Sequence, residues 1–143
     1  SRFGSFDAPH SIGWSKRCDT SELIRVPLAF GDQARIELRS PDSCCNPYLA
    51  FALLIEAGLD GVEKQYPLRA ADCGTDSAHP TAAQQLPGTL EEALTLAASS
   101  KMVEQVLPRE MIETYCTAKM RECEACAAGN VQSFERSHYF PFY

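Results

Sequence analysis

Arg35-Ile36-Glu37-Leu38-Arg39 alternates charged and apolar residues, the period of a half-buried β-strand. Ile36 and Leu38 take one face; Arg35, Glu37 and Arg39 take the other. Alternate residues on one face lie roughly 6.5–7 Å apart, so the charged face reads plus, minus, plus at a spacing suited to a bridging phosphate or metal ion. Beyond Ser40-Pro41-Asp42 the chain turns strongly apolar, NPYLAFALLIEAGLDG over residues 46–61. A charged strand face beside such a helix is either a solvated edge or one wall of a polyanion site.

Upstream, Ile12-Gly13-Trp14 and Leu23-Ile24-Arg25-Val26-Pro27 are further candidate strands. The third runs from Ala34 to Arg39, and Phe30-Gly31-Asp32-Gln33 is a turn between the last two, forming an antiparallel hairpin. Downstream, Asn46 is an N-cap and Pro47 a first helical position. Tyr48, Leu49, Phe51, Leu53, Leu54, Ile55 and Leu59 cover most of that helix's circumference, predicting burial on most faces, with Gly58 and Gly61 at its C-terminal end. Residues 64–88, punctuated by Pro67, Gly74, Pro80, Pro87 and Gly88, lack periodicity and read as a long functional or mobile loop.

Thr89-Leu90-Glu91-Glu92 is a capping box opening a short helix with Leu90, Ala93, Leu94 and Ala97 inward. Pro108 starts a longer helix to about Ala128, with Met111, Ile112, Tyr115 and Met120 as candidate core, ended by Gly129-Asn130. A last short helix and an aromatic tail follow: Phe134, Tyr139, Phe140, Phe142 and Tyr143. Strands first and helices second predict an α+β fold. About three antiparallel strands lie within 1–42, a buried helix at 46–61, the loop at 64–88 and helices in 89–143, all in a single domain, 1–143.

The 143 residues suffice for one domain with a core, and 45% hydrophobic and 22% charged residues are ordinary for a globular protein. A net charge of −6 disfavours nonspecific nucleic-acid binding while leaving room for a local basic pocket. No apolar run approaches the roughly 20 residues of a membrane span, and the first ten residues carry no signal-peptide core. The seven cysteines (18, 44, 45, 73, 116, 123 and 126) do not follow a small disulfide scaffold, and a reducing cytoplasm is the expected compartment. The spacing Cys123-Glu124-Ala125-Cys126 lacks two further ligands for zinc, and these thiols read as small helix residues.

No Gly-x-Gly-x-x-Gly, P-loop, Gly-x-Ser-x-Gly or His-Glu-x-x-His motif occurs. What remains is Arg25, Arg35 and Arg39 on neighbouring strands with Glu37 among them. A guanidinium presents a fixed fork of donors to phosphate or carboxylate oxygens. A glutamate there suits Mg²⁺ bridging phosphates. The plainer reading is a set of cross-strand ion pairs on a wet face.

RIELRSPDSCCNPYLAFALLIEAGLDG, residues 35–61, closely resembles the C-terminal part of the catalytic domain of type I glutamine synthetases. Other pieces follow in family order. Arg2-Phe3-Gly4-Ser5-Phe6-Asp7-Ala8-Pro9 resembles the substrate segment and flap that end in Glu-Ala-Pro. Ser21 to Pro27 resembles the Ser-x-x-Ile-Arg-[IV]-Pro strand. Leu86 to Leu94 resembles the Pro-Gly-Ser-Leu-Glu-Glu-Ala segment, and Phe134 to Tyr143 the terminal helix.

The resemblance implies a partial glutamine synthetase catalytic-domain fold and an ATP-dependent ligase using Mg²⁺ or Mn²⁺. Glutamate is phosphorylated and ammonia displaces the phosphate. By resemblance Glu37 ligates the metal, Arg39 binds glutamate and its acyl-phosphate, Arg25 and Arg35 bind ATP phosphates, Arg2 contacts the substrate carboxylate, and Asp7 is the catalytic flap carboxylate. Two departures stand out. Thr20 falls where the family has an arginine, after a one-residue insertion, and Asp7 is one methylene shorter than the family's glutamate. The 64–88 loop lacks the Asn-Leu-Tyr-Asp-Leu segment adenylylated in some bacterial members.

The family's N-terminal domain and its remaining metal ligands lie upstream of the matched region. The chain therefore reads as roughly the last third of a longer cytoplasmic, homo-oligomeric enzyme, inactive alone, whose partners are glutamate, ATP, ammonia and the rest of its own chain, with no nucleic acid or membrane. A paralogue joining glutamate to a polyamine or other amine, and a noncatalytic assembly module with a degenerate site, are the alternatives.

Overall fold

A computed structural model describes residues 9–16, 22–42, 44–68, 71 and 85–141. They fall into two compact units, one holding the described residues of 2–42 and 67–88 and the other those of 43–66 and 89–143.

The first unit is a three-stranded sheet in the order β1-β2-β3, with β1 at Ser11–Ser15, β2 at Glu22–Arg25 and β3 at Glu37–Leu38. The hairpin predicted from the sequence is present: β2 and β3 run antiparallel, with Ile24 opposite Leu38 and Arg25 opposite Glu37. Between them Gly31–Gln33 form a 3₁₀ turn that Gly31 enters at φ +59°, a left-handed conformation that costs glycine little. The expectation of wholly antiparallel strands is corrected at β1, which pairs parallel to β2, so the sheet is mixed. Alternation of side chains tells which face a residue takes. It carries no information about the direction of the neighbouring strand, which depends on the path of the connection. The third strand is also shorter than expected, because Gln33 and Ala34 spend their N–H groups closing the turn.

Ser15 is buried at the β1 end, and its carbonyl accepts from the Val26 N–H at 2.9 Å. Buried Glu22 accepts from the Ser11 hydroxyl at 3.1 Å, which satisfies part of a carboxylate removed from water. From the region read as a long loop, Gln85 bridges to Ser11 and the Leu86 N–H donates to His10 at 2.8 Å. Residues 69–70 and 72–84 of that region lie outside the described residues.

The second unit is helical: α1 at Pro47–Glu63, α2 at Leu90–Ala98, α3 at Lys101–Val106, α4 at Arg109–Ala127 and α5 at Val131–His138. The sequence-level caps hold. Asn46 accepts from the N–H groups of Tyr48 and Leu49, with Pro47 at the first helical position, and Thr89 accepts from Glu92. The separate helix α3 was not anticipated; Ser100 caps it through the Val103 N–H. The core is Leu94, Val103 and Ile112, one residue from each of α2, α3 and α4. Of the other expected core positions on α4, Met111 and Tyr115 are exposed.

Two expectations for α1 are revised. The helix does not end at its glycines but runs through Gly58 and Gly61, and the left-handed position that closes it is Gln65 at φ 49°. Nor is it buried on most faces. Leu49 and Leu53 join Ala97, Val103, Ile112 and Cys116 around an apolar cavity of about 220 Å³, yet Tyr48 is 83% exposed and Val62 76%. A helix apolar nearly all round needs neighbours on every side. Among the described residues of its unit, α1 packs mainly on α3.

The five described cysteines are free thiols, each half-buried. Burial, with the nearby Glu91, Glu122 and Cys126, pushes the Cys123 thiol above its ordinary range, so it stays protonated. No helix among the described residues is long and apolar enough to cross a membrane.

Candidate functional site

The β2–β3 register builds the site. Directly opposed residues on an antiparallel pair share a face, so Arg25 and Glu37 project together. An Arg25 Nη donates to Glu37 Oε2 at 2.8 Å. Arg35, two residues before Glu37, returns to its other oxygen, with Nε 3.2 Å and Nη 3.0 Å from Oε1. The other Arg35 Nη lies 3.4 Å from the Gln33 carbonyl, a long contact to the turn. One carboxylate thus sits between two guanidiniums, each oxygen taken by a different arginine.

The hydrogen bond from Arg25 holds the Glu37 carboxyl below its ordinary range, against partial desolvation, and the Arg25 charge and Arg35 add to the effect. Glu37 is therefore anionic at neutral pH. The side chains are part-exposed, 31% for Arg25 and 32% for Glu37, so water screens the pair and its net contribution to stability is small. One atom is not accounted for by these bonds: Arg25 Nε is buried and has no hydrogen-bond partner among the described residues. A buried unsatisfied N–H is costly.

Arg39 follows β3, its N–H donating to the Leu23 carbonyl at 2.9 Å. Strand alternation places Arg39 on the Glu37 face. Arg2, Asp7 and Thr20 lie outside the described residues. Four sequence-predicted residues, Arg25, Arg35, Glu37 and Arg39, therefore share one short sheet segment.

The arginines fit an anionic ligand; the same residues do not by themselves fit a metal ion. Among the described residues no group of three or more His, Cys, Asp or Glu side chains is arranged to hold one. Both oxygens of Glu37 already accept from guanidiniums.

A family model described as glutamine synthetase, catalytic domain, matches residues 2–139. The chain belongs to the glutamine synthetase family. It is 35% identical over 140 residues to a glutamine synthetase of Methanosarcina mazei, an alignment covering 94% of this chain and 31% of that relative. It is 37% identical over 145 residues to one of Halobacterium salinarum, covering 94% of this chain and 30% of the relative. A glutamine synthetase of Staphylococcus epidermidis is 31% identical over 144 residues, covering 96% and 32%. The chain thus spans about a third of the length of these glutamine synthetases. The mixed sheet followed by a mainly helical half is consistent with part of the glutamine synthetase catalytic domain.

A second polar cluster went unmarked in the sequence. Lys119 Nζ lies 2.8 and 2.9 Å from the two oxygens of Glu122, and the Tyr139 hydroxyl donates to the same carboxylate. The three-residue spacing of Lys119 and Glu122 was the available signal. The cluster joins α4 to the end of α5 and is a tertiary fastening.

Proposed function

We propose that this chain is the C-terminal part of the catalytic domain of an ATP-dependent glutamate–ammonia ligase, and that the β2–β3 face is its polyphosphate-binding wall. The observation carrying this is the Arg25–Glu37–Arg35 cluster that the β2–β3 register assembles on one face.

In the proposed reaction a glutamate side-chain carboxylate oxygen attacks the γ-phosphorus of ATP, releasing ADP and forming γ-glutamyl phosphate. Ammonia nitrogen then attacks the acyl carbon, the C–O bond to phosphate breaks, and loss of a proton from nitrogen leaves glutamine. Arg25 and Arg35 hold ATP phosphate oxygens and offset the charge that gathers on them during transfer. Arg39 binds glutamate and the acyl-phosphate, Arg2 contacts the substrate carboxylate, and Asp7 closes over the site and handles ammonium. Mg²⁺ or Mn²⁺ belongs to this reaction; Glu37 is the carboxylate this face offers such an ion, and a full ligand set is not found among the described residues. The active protein is a cytoplasmic homo-oligomer that includes the rest of a longer chain.

The chain alone binds ATP weakly and does not turn over. Isothermal titration calorimetry with ATP follows the binding. Arg25→Gln weakens ATP binding about tenfold, the loss of one charge-assisted contact, whereas Arg109→Gln on α4 leaves it unchanged. ATP binding indifferent to Arg25, or glutamate- and ammonia-dependent phosphate release by the chain alone at enzymatic rates, would falsify this reading. A second reading, ligation of glutamate to a polyamine or other amine, rests on the Thr20 and Asp7 departures from the family pattern. A panel of amine acceptors separates the two.

A further inference from the structure

We propose that the helical unit carries a ligand site of its own: the apolar cavity beside α1 takes a small uncharged aromatic molecule. It does not depend on the polyphosphate-wall reading, because every residue around the cavity belongs to the helical unit.

Size and charge set the class of ligand. The cavity measures about 220 Å³, and a dry apolar cavity of roughly 150 Å³ is already enough to take benzene. Leu49 and Leu53 of α1 face it together with the buried Val103 and Ile112. Among the described residues no lysine, arginine, histidine, aspartate or glutamate lines it, and the Asn46 Oδ1 is engaged as the α1 cap. An ion entering there would lose its hydration with nothing to replace it. A neutral apolar molecule instead takes both its own surface and the cavity wall out of water.

The wall also favours an aromatic ring over an aliphatic one. Three sulfur atoms line the cavity, from Cys45 ahead of α1 and from Met111 and Cys116 on α4. Sulfur packs favourably against a ring, often at its edge. Tyr115 adds a ring of its own, suited to offset or edge-on stacking. Met111 and Tyr115 are exposed side chains one turn apart on α4, so the cavity reaches solvent between them. The unbranched methionine side chain adapts to the shape of a guest.

The test titrates the intact chain, carbon-13 labelled at its methyl groups, with benzene and follows carbon–proton correlation spectra. Benzene shifts the methyl resonances of Leu53, Val103 and Ile112 together, with one dissociation constant on the order of 0.1–1 mM for so small a ligand. The methyls of Leu59, which lies off the cavity, stay put. Cyclohexane binds about fivefold more weakly for want of the sulfur–ring contacts. Benzoate, the same ring with a charge, shifts none of them. Absence of a benzene-dependent shift up to its solubility, or equal binding by benzoate, overturns the site. Cyclohexane binding as tightly as benzene overturns the aromatic assignment.

Ala97→Leu pushes three further carbons into the cavity and weakens benzene binding about tenfold; an unchanged affinity counts against the site. A wild-type measurement covers a variant that does not fold. Benzene slows alkylation of Cys45 and Cys116 by N-ethylmaleimide in proportion to its occupancy and leaves Cys126, half-buried like them but off the cavity, unchanged. Rates at Cys45 and Cys116 that ignore benzene overturn the proposal.

Discussion

The Tyr139 hydroxyl donates to Glu122 Oε2 across 2.8 Å, tying the C-terminal end of α5 to α4. The same carboxylate takes Lys119, and the Tyr139 ring meets Phe134 edge-on with centroids 6.1 Å apart. Burial, with the Glu122 charge and hydrogen bond beside it, pushes the Tyr139 phenol well above its ordinary range, so the donor keeps its proton. Tyr139→Phe keeps the ring contact and removes only the donor. It lowers the unfolding free energy of the chain by about 1.5 kcal/mol, the scale of a hydrogen bond to a charged group. A urea midpoint equal to that of wild type would show that the bond contributes nothing.

Acid weakens this fastening. Burial alone raises the Glu122 carboxyl, but hydrogen bonds from Lys119 and Tyr139, with the Lys119 and His138 charges, outweigh it and hold the carboxyl below 4.5. A carboxyl lowered in the folded state contributes stability above its unfolded value and loses it as pH falls through the folded value. Glu37 and Asp60 are lowered too, by Arg25 and Lys64 respectively, and act in the same direction. The melting temperature therefore falls below about pH 4.5. Glu122→Gln flattens that fall, and a variant with the wild-type slope removes Glu122 from the account.

The end of α1 is open to improvement. Gln65 holds a left-handed conformation at φ 49° that glycine adopts freely, so Gln65→Gly stabilises by about 1 kcal/mol. Gly58 lies inside the helix with open space where a Cβ would stand, so Gly58→Ala adds about 0.5–1 kcal/mol. Thermal melts of the two variants and their combination check both values and their additivity.

The helical unit depends on a small core. Leu94 is 4% exposed, the most buried of its three core hydrophobics, and Leu94→Ala costs about 2–5 kcal/mol. Leu96→Ala on the same helix, at a position 58% exposed, serves as the comparison and costs less than about 0.5 kcal/mol. Equal losses would mean that α2 packs by a different face.

Local chemistry was legible from the chain alone. Asn46-Pro47 and Thr89 through Glu92 announce helix starts, because a cap needs only a side-chain oxygen a few residues from free N–H groups. The 35–39 alternation announced which side chains share a face, and the 35–61 motif announced the family, which the match over residues 2–139 bears out.

What neighbours decide was not legible. The parallel pairing of β1, the exposure of Tyr48 and Val62, the separate helix α3 and the Tyr139–Glu122 bond depend on which surfaces meet, and periodicity within one segment does not encode its partner. The charged strand shows both halves of this division. Sequence spacing placed Arg35, Glu37 and Arg39 on one face. The β2–β3 register brought Arg25 opposite Glu37, because opposed residues in an antiparallel pair must share a face, and so closed two guanidiniums around one carboxylate.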